Sequence, residues 1–464
     1  MAYLLSKLPL ILACSMFMSG CQSNHVVKSV TYQTPAIQSV DRYKYSDLNW
    51  IVIPENQTNQ QQWWKVYNDP VLSEILQQLN LNNLTLQQAE ARYRYAMALV
   101  NEQNINRRPT VNLKAEANRS SSKEERVHNQ LSTGINVSWA PDLWGRVAKA
   151  LEGQQANLKA SQADLAAIQL NQQLLASDAY WMIRLLDLKL DMLRETQKSH
   201  QRSVQILQHQ NKAGMIARAD VIQAETQLKQ IEIELNITQR ERALQENILA
   251  VLLGKTITSF QLQKVVYTYH VPKIPMQIPS RILSQRPDVI RAERELAALH
   301  AQLGLAETAW LPDINIDIDT ALNGQALSSL LQSPHYLWSI GLKMTSSLFD
   351  GGKSQVDIEK AKANYEEKIA AYKQTVLIGW KEVEDALLQS VSLNQQTMQQ
   401  QQLLNLTTEN ERVATQRYQA GMVTYLEVVV AQNARLQARQ VLLEAQNQEV
   451  KNSMQLIAAL GTNW

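Results

Sequence analysis

The residues that could do covalent or metal chemistry in this chain are few and poorly placed for it. Its seven histidines are scattered, with no spacing that sets two imidazoles on one helix face. No nucleophile elbow, Walker-type loop or zinc-binding helix motif occurs. The group that looks most catalytic is Arg286-Pro287-Asp288, a guanidinium two positions from a carboxylate. Proline is at home in the first turn of a helix, so this group reads as a helix start. The thiols are Cys14 and Cys21, and a disulfide between them would staple nothing; the rest of the chain is cysteine-free. A formal net charge of +2, with no Lys/Arg cluster, gives no nucleic-acid surface. No catalytic residue, metal ligand set or cofactor is expected, and the chain is not read as an enzyme.

One covalent modification is expected. Lys7 precedes an apolar run from Leu8 to Met18, too short for a bilayer span and suited to the core of a signal peptide. Met18-Ser19-Gly20-Cys21 follows and resembles a bacterial lipoprotein cleavage box, with Met18 where Leu is usual. Residues 1–20 are then the signal peptide, and Cys21 carries a covalent lipid. The alternative is an ordinary signal peptide cut elsewhere. Gln22 in place of Asp favours, in lipoproteins that this segment resembles, sorting to the outer membrane. No other segment approaches the ~18–20 apolar residues of a membrane helix.

The elements behind these residues come in two copies. Leu296, Leu299, Leu303, Ala306 and Trp310 mark one helix face, which Pro312 ends. Ile314, Ile316 and Ile318 then alternate with Asn315, Asp317 and Asp319, and Trp338, Ile340, Leu342 and Met344 alternate likewise after a polar loop. Period two predicts strands with one apolar and one wet face. Gly351-Gly352 releases the chain into a long helix. Earlier in the chain, Ala89-Glu90 and Pro109 repeat the spacing of Ala292-Glu293 and Pro312, and Val111, Leu113, Ala115 and Ala117 alternate as a strand. Leu131, Thr133, Ile135, Val137 and Trp139 form its partner. Leu143-Trp144-Gly145-Arg146 is matched to Leu348-Phe349-Asp350-Gly351, and Ala213-Gly214-Met215 to Ala420-Gly421-Met422. Such ordered matches identify an internal duplication.

The expected organisation is a signal peptide at 1–20 and an N-terminal extended and equatorial segment at 21–84. Repeat 1 follows at 85–254 with strand pair 111–139, then a linker at 255–283, then repeat 2 at 284–464 with strand pair 313–346. Trp63-Trp64 reads as a surface pair packed on a neighbouring subunit, with a binding role for an exposed pair as the alternative. Helices of about 65 residues, roughly 100 Å long, are expected within each repeat. Val221, Leu228, Leu235 and Leu249 recur at heptad spacing with Arg242 interrupting, and Val429, Leu436, Leu443, Val450 and Ile457 recur without interruption. Heptads of this kind specify left-handed supercoiling against partners. Four strands cannot close a membrane barrel, which needs about eight, and an open sheet in lipid leaves backbone groups unpaired. The chain is therefore expected to oligomerise, with its apolar strand faces toward lipid. Lys114, Glu116, Asp317, Asp319 and Lys343 are expected to face a wet lumen. A soluble sandwich packed on helices is the rival, and leaves the helix length unexplained.

On Trp63-Trp64 with Asp69-Pro70, Leu143-Trp144-Gly145-Arg146, Arg286-Pro287-Asp288-Val289 with Ala292-Glu293, Leu348-Phe349-Asp350-Gly351-Gly352, and Arg417-Tyr418 with Gly421 and Leu426-Glu427-Val428, the chain resembles the outer-membrane efflux proteins, the TolC-like ducts. The likeness covers nearly the whole mature chain and is strongest to their lipoprotein branch. It implies a mainly α fold with β: a homotrimer joining a coiled-coil α-helical barrel to a transmembrane β-barrel of twelve strands, four per chain. It implies outer-membrane lipid around the barrel, and docking to a periplasmic membrane-fusion adaptor and an inner-membrane pump of the RND type. The implied function is a passive exit duct for drugs or other small molecules. Export of polypeptide or metal ions through the same duct, or a surface coiled-coil lipoprotein that is no channel, are the alternatives. The resemblance also implies a gate near Gly214 and Gly421. Leu426 matches an apolar constriction, and Arg417 and Tyr418 match polar ties, with Glu427 and Asp220 as nearby acids. Asp220 also reads as an N-cap-like residue after the break. Val430 departs from the acid common among relatives at that position, which removes support for a cation-binding ring there.

Overall fold

The computed structural model of the protein describes residues 32–36, 44, 62–121, 128–265, 267, 269, 271–272, 286–324, 326 and 336–461. The signal peptide and Cys21 lie outside them.

After a 3-10 turn at Trp63–Tyr67, the helices and strands run as α1 (Pro70–Asn82), α2 (Leu84–Ile105), β1 (Thr110–Ser120), β2 (His128–Trp139), α3 (Arg146–Lys212) and α4 (Arg218–Leu252), completing the first repeat. The second repeat holds α5 (Pro287–Glu307), β3 (Asp313–Gly324), β4 (Tyr336–Thr345), α6 (Lys353–Gln419) and α7 (Tyr425–Ala459). The two longest helices, α3 and α6, each have 67 residues, and α4 and α7 each have 35. No described helix is long and apolar enough to cross a membrane.

Two compact units make up the chain. One joins 99–156 and 296–368 and contains the sheet. Its four strands lie antiparallel in the order β1-β2-β3-β4. The register places Val111, Val137, Ile318 and Ile340 directly opposite one another, and likewise Leu113, Ile135, Thr320 and Trp338. Side chains alternate along a strand and align across it, so these residues share one face. The other face holds Lys114, Glu116, Asp317, Asp319 and Lys343, together with Asn136, whose amide donates to the Asp319 carboxylate at 2.8 Å. A one-residue slip anywhere would mix the two faces. β1 and β4 are edge strands within the chain.

The strand ends correct one sequence match. Thr110 pairs with Ser138 as Asp313 pairs with Thr345, and Gly145 and Gly352 take left-handed φ of 72° and 89° just before α3 and α6. The two strand-to-helix links therefore have equal length. Gly145 is the counterpart of Gly352, and the Leu-Trp-Gly-Arg and Leu-Phe-Asp-Gly runs are offset by two positions. Each link still supplies an aspartate cap. Asp142 accepts from Val147 and Ala148 backbone N–H, and Asp350 accepts from those of Gly352 and Ser354. Trp144 donates to the Pro312 carbonyl at 2.7 Å, and Arg146 pairs with Asp313, pinning the first link to the start of β3.

The other unit joins 37–98, 157–295 and 369–464. Its largest apolar cluster gathers Trp63, Trp64 and Tyr67 with α1, the Tyr180-Trp181 part of α3, and the ends of α4 and α7. The Trp pair is thus buried within its own chain, with Trp64 fully enclosed, and does not form the surface pair expected from sequence. Trp63 donates to Gln173 at 2.9 Å, and Tyr67 shares a 2.7 Å hydrogen bond with Ser453. Asp69 explains its pairing with Pro70. Its carboxylate caps α1 by accepting from Val71 and Leu72 N–H, the proline occupies the first turn, and Tyr180 donates to the same carboxylate at 2.5 Å.

The heptad residues of α4 and α7 enter the apolar clusters. Val221 and Val429 enter one cluster, Leu235, Leu436 and Leu443 a second, and Leu249, Val450 and Ile457 the largest. Arg242 breaks the α4 heptad because its guanidinium has another task. It donates to Asp187 at 2.6 Å, to Glu246 at 3.1 Å and to the Leu262 carbonyl at 2.9 Å. Arg184, fully buried, reaches Asp187 and the Gln263 carbonyl. Together they strap the stretch after α4 across α3 and α4.

Candidate gate at the paired helix turns

Both α3 and α6 end in the same backbone device. Gly214 and Gly421 adopt φ of 72° and 70°. Gly214 N–H donates to the Asn211 carbonyl and Met215 N–H to that of Gln210, each at 2.9 Å; Gly421 and Met422 do the same to Tyr418 and Arg417. This is a Schellman turn, and it requires a residue that tolerates left-handed φ. A β-carbon at either glycine would meet nothing within 4 Å, so backbone conformation alone selects glycine. Asn211 in the first turn also donates its amide to the Ile216 carbonyl at 2.9 Å. Tyr418 stands at the matching place in the second turn.

The helices then restart at Arg218 and Tyr425, and Asp220 and Glu427 occupy the third position of each. A carboxylate there offsets the positive end of the helix dipole. The N-caps are Ala217 and Thr424, and neither side chain bonds the backbone, so Asp220 is a first-turn acid and not the cap.

The two turns meet in one apolar knot. Val204 and Leu207 of α3, Val221 and Ala224 of α4, and Tyr425, Val428 and Val429 of α7 bury one another, with Ile216, Leu228 and Tyr418 partly buried around them. The Tyr418 and Tyr425 rings meet edge-on at 5.5 Å. Burial raises the Tyr418 phenol pKa, and the charge of nearby Asp220 raises it further. Arg417 and Glu427 face each other across the second turn at 3.9 Å, both about half exposed, a contact of little energetic weight. Asp220, Arg417, Tyr418 and Glu427 thus gather at one end of the helical unit. Leu426 does not join the knot. It is 56 % exposed, and Val430, one turn farther along the same face, is 61 % exposed.

A feature that sequence reading missed lies between this knot and the next apolar cluster. His200 is buried in a cavity of about 110 Å³ lined also by Glu195, Ser199, Glu411, Gln432 and Arg435. Arg435 and Glu411 form an ion pair beside it. Burial lowers the His200 pKa, so the imidazole is neutral at pH 7. A lone histidine in a glutamine-rich helix gave no periodic signal. Arg286 lies elsewhere in the same unit. Its buried guanidinium pairs with Asp288 at 2.8 Å and Glu382 at 2.6 Å and donates to the last carbonyl of α7, that of Ala459, at 2.9 Å. It ties three helices, and Pro287 opens α5, the helix start that the sequence suggested. Among the described residues no group of three or more His, Cys, Asp or Glu side chains could hold a metal ion.

Residues 75–255 and 278–462 match the family model described as outer membrane efflux protein. The chain belongs to the outer membrane efflux protein family. It is 28 % identical over 444 residues to the cation efflux system protein CusC of Escherichia coli O6:H1, covering 93 % of this chain and 95 % of that protein. It is 25 % identical over 463 residues to the probable outer membrane lipoprotein SilC of Salmonella typhimurium, covering 99 % of each. A crystal structure of CusC superposes with a TM-score of 0.84 at 26 % identity, over 93 % of this chain and 98 % of that one. Family and fold are those of outer-membrane efflux proteins and not of enzymes.

Proposed function

We propose that this chain is the exit duct of a tripartite efflux system. Three copies close a twelve-stranded barrel in the outer membrane and a helical tunnel in the periplasm, docked to a membrane-fusion adaptor and an inner-membrane RND-type pump. The observation that carries this reading is the sheet: four antiparallel strands with one face mainly apolar, the other mainly polar, and β1 and β4 at its edges within the chain. In a family of outer-membrane proteins, that sheet suits lipid on one side and water on the other only when other copies complete the ring. Transport is passive, since the pump supplies energy and selects cargo. Cys21 carries a lipid that adds a second membrane attachment, and SilC bears the name of a lipoprotein. Leu426 is the constriction of the resting gate, with Arg417, Tyr418, Glu427 and Asp220 holding the turns around it. The exposure of Leu426 within its own chain supports this.

Cargo is either drugs and other small organic molecules or, as the name of CusC says of that protein, cations. Purified protein in a planar lipid bilayer tests the duct itself: discrete conductance steps are expected. Folded, oligomeric protein that conducts nothing would instead support a surface coiled-coil lipoprotein. Deletion strains exposed in parallel to organic antibiotics and to copper or silver salts then separate the two cargo classes.

A further inference from the structure

The internal repeat fixes more than the number of strands. Because Thr110–Ser138 and Asp313–Thr345 are equivalent pairs, each strand of the first repeat maps residue by residue onto its counterpart in the second. The β2–β3 seam joins the end of one repeat to the start of the next within the chain. A ring of copies needs one more seam of the same kind, between β4 and the β1 of a partner subunit. Moving the β2–β3 pairs onto their equivalents gives its register. Val137–Ile318 becomes Met344 opposite the partner subunit's Ala115. Ser138–Asp317 becomes Thr345 opposite the partner subunit's Lys114. Asn136–Asp319, the pair joined by an amide-to-carboxylate hydrogen bond, becomes Lys343 opposite the partner subunit's Glu116.

We propose that β4 closes onto β1 of a neighbouring copy in this register, so that Lys343 and the partner subunit's Glu116 form an ion pair on the polar face at each subunit seam. The inference rests on the barrel reading above, and adds residue-level pairing to it. Chemistry points to the same register independently of the repeat. A shift by one residue turns β4 over and sets Lys343 among the apolar residues of β1. A shift by two in one direction sets Lys343 against the partner subunit's Lys114, placing like charges directly opposite. A shift by two in the other direction sets it against Asn118 of the partner subunit. Only the repeat-derived register gives opposite charges. All ten residues of β4 and all eleven of β1 are exposed within the chain, so both edges are open to a partner. Leu348 and Phe349, just past β4, are 100 % and 91 % exposed. In the corresponding link of repeat 1, Trp144 and Arg146 hold the Pro312-Asp313 start of β3. Among the described residues, the second link has no such strand within its own chain.

Cysteine pairing in the assembled protein tests the register. The chain has no cysteine after Cys21, so introduced thiols report without interference from the body of the protein. Directly opposite residues bring α-carbons to about 4.5–5.5 Å, within disulfide reach, whereas a two-residue displacement slides them about 6.8 Å along the strand, to a separation of roughly 8 Å, and takes them out of it. Three double variants are compared after mild oxidation: Glu116→Cys with Lys343→Cys, Lys114→Cys with Lys343→Cys, and Asn118→Cys with Lys343→Cys. Efficient covalent linkage between chains in the first alone supports the proposal. Dominant linkage in either of the others overturns the register and leaves the ring standing. No linkage in any of the three overturns the β4–β1 seam and the barrel reading with it. A charge exchange gives a second readout without thiols. Lys343→Glu should lower the temperature at which the oligomer dissociates, and adding Glu116→Lys should restore it; failure of that restoration counts against the ion pair.

Discussion

In the proposed gate, Leu426 is the single side chain that bears most directly on transport. It sits at the second position of α7, outside the knot that buries Tyr425, Val428 and Val429 on the neighbouring helical positions. Were it a packing residue of its own chain, Leu426→Ser would cost a few kcal/mol, as loss of a buried aliphatic group does. At 56 % exposure the expected cost is below about 1 kcal/mol. The expected outcome is an unchanged melting temperature with raised basal conductance, because an apolar constriction blocks ions by dewetting. Val430→Asp at the next turn should make conductance sensitive to divalent cations if that face lines the pore. The sequence made this pair visible only through resemblance. His200 shows the converse, a buried residue that no pattern announced. Its pKa is lowered by burial, so the unfolded chain takes up a proton at higher pH than the folded one does. Stability from this site is complete above the ordinary histidine value of about 6.5 and is lost as pH falls below it. Thermal melts between pH 7.5 and 5 should therefore show a decline that His200→Gln flattens. A decline of equal slope in the variant would assign the effect to other groups, among them His300, whose pKa burial also lowers.

At the scale of elements, the duplication, the four strands and the long helices were legible because alternation and heptads survive as simple periods. Arg286 and Gly379 were legible only in part. The Arg-Pro-Asp run announced a helix start, but nothing in the sequence said why α6 carries a glycine in its interior, where glycine costs about 1 kcal/mol relative to alanine. The structure gives the reason. A β-carbon on Gly379 would lie 3.3 Å from the Arg286 Nε, so the helix leaves that space to the guanidinium. Gly379→Leu should displace Arg286 from Glu382 and the Ala459 carbonyl and destabilise the protein by roughly 1–3 kcal/mol, the worth of charge-assisted hydrogen bonds. In Arg286→Ala the same substitution should cost much less, since its clash partner is gone. A double-mutant cycle read by thermal melting checks the coupling, and additive costs would refute it. The Trp63-Trp64 pair was read as surface because exposure is not written in an aromatic dipeptide. Trp63 is held by Gln173 and the adjoining Tyr67 by Trp181 and Ser453, all remote in sequence, and only tertiary packing brings them together.

For the whole molecule, the decisive question is whether β4 is an edge or an inner strand. Along an antiparallel strand, successive N–H groups point alternately to one neighbour and the other. Ile340 and Gly341 are consecutive mid-strand residues of β4, opposite Ile318 and Asp317 of β3. One of their N–H groups therefore points toward β3 and the other away from it. Proline removes the N–H and is tolerated in a strand only on the side that has no partner. If β4 were a true edge, one of Ile340→Pro and Gly341→Pro would assemble and fold as the parent does. In a closed ring β4 is paired on both sides, and both variants lose a ladder bond in lipid, where an unpaired backbone group costs several kcal/mol. Native mass spectrometry in mild detergent should therefore find no stable oligomer of either variant. The 67-residue helices do not depend on that seam, so helical content by circular dichroism should persist in both. One variant that assembles normally would mean that β4 is unpaired on its outer side. A folded, stable monomer of the parent protein with full strand content would lead to the same conclusion.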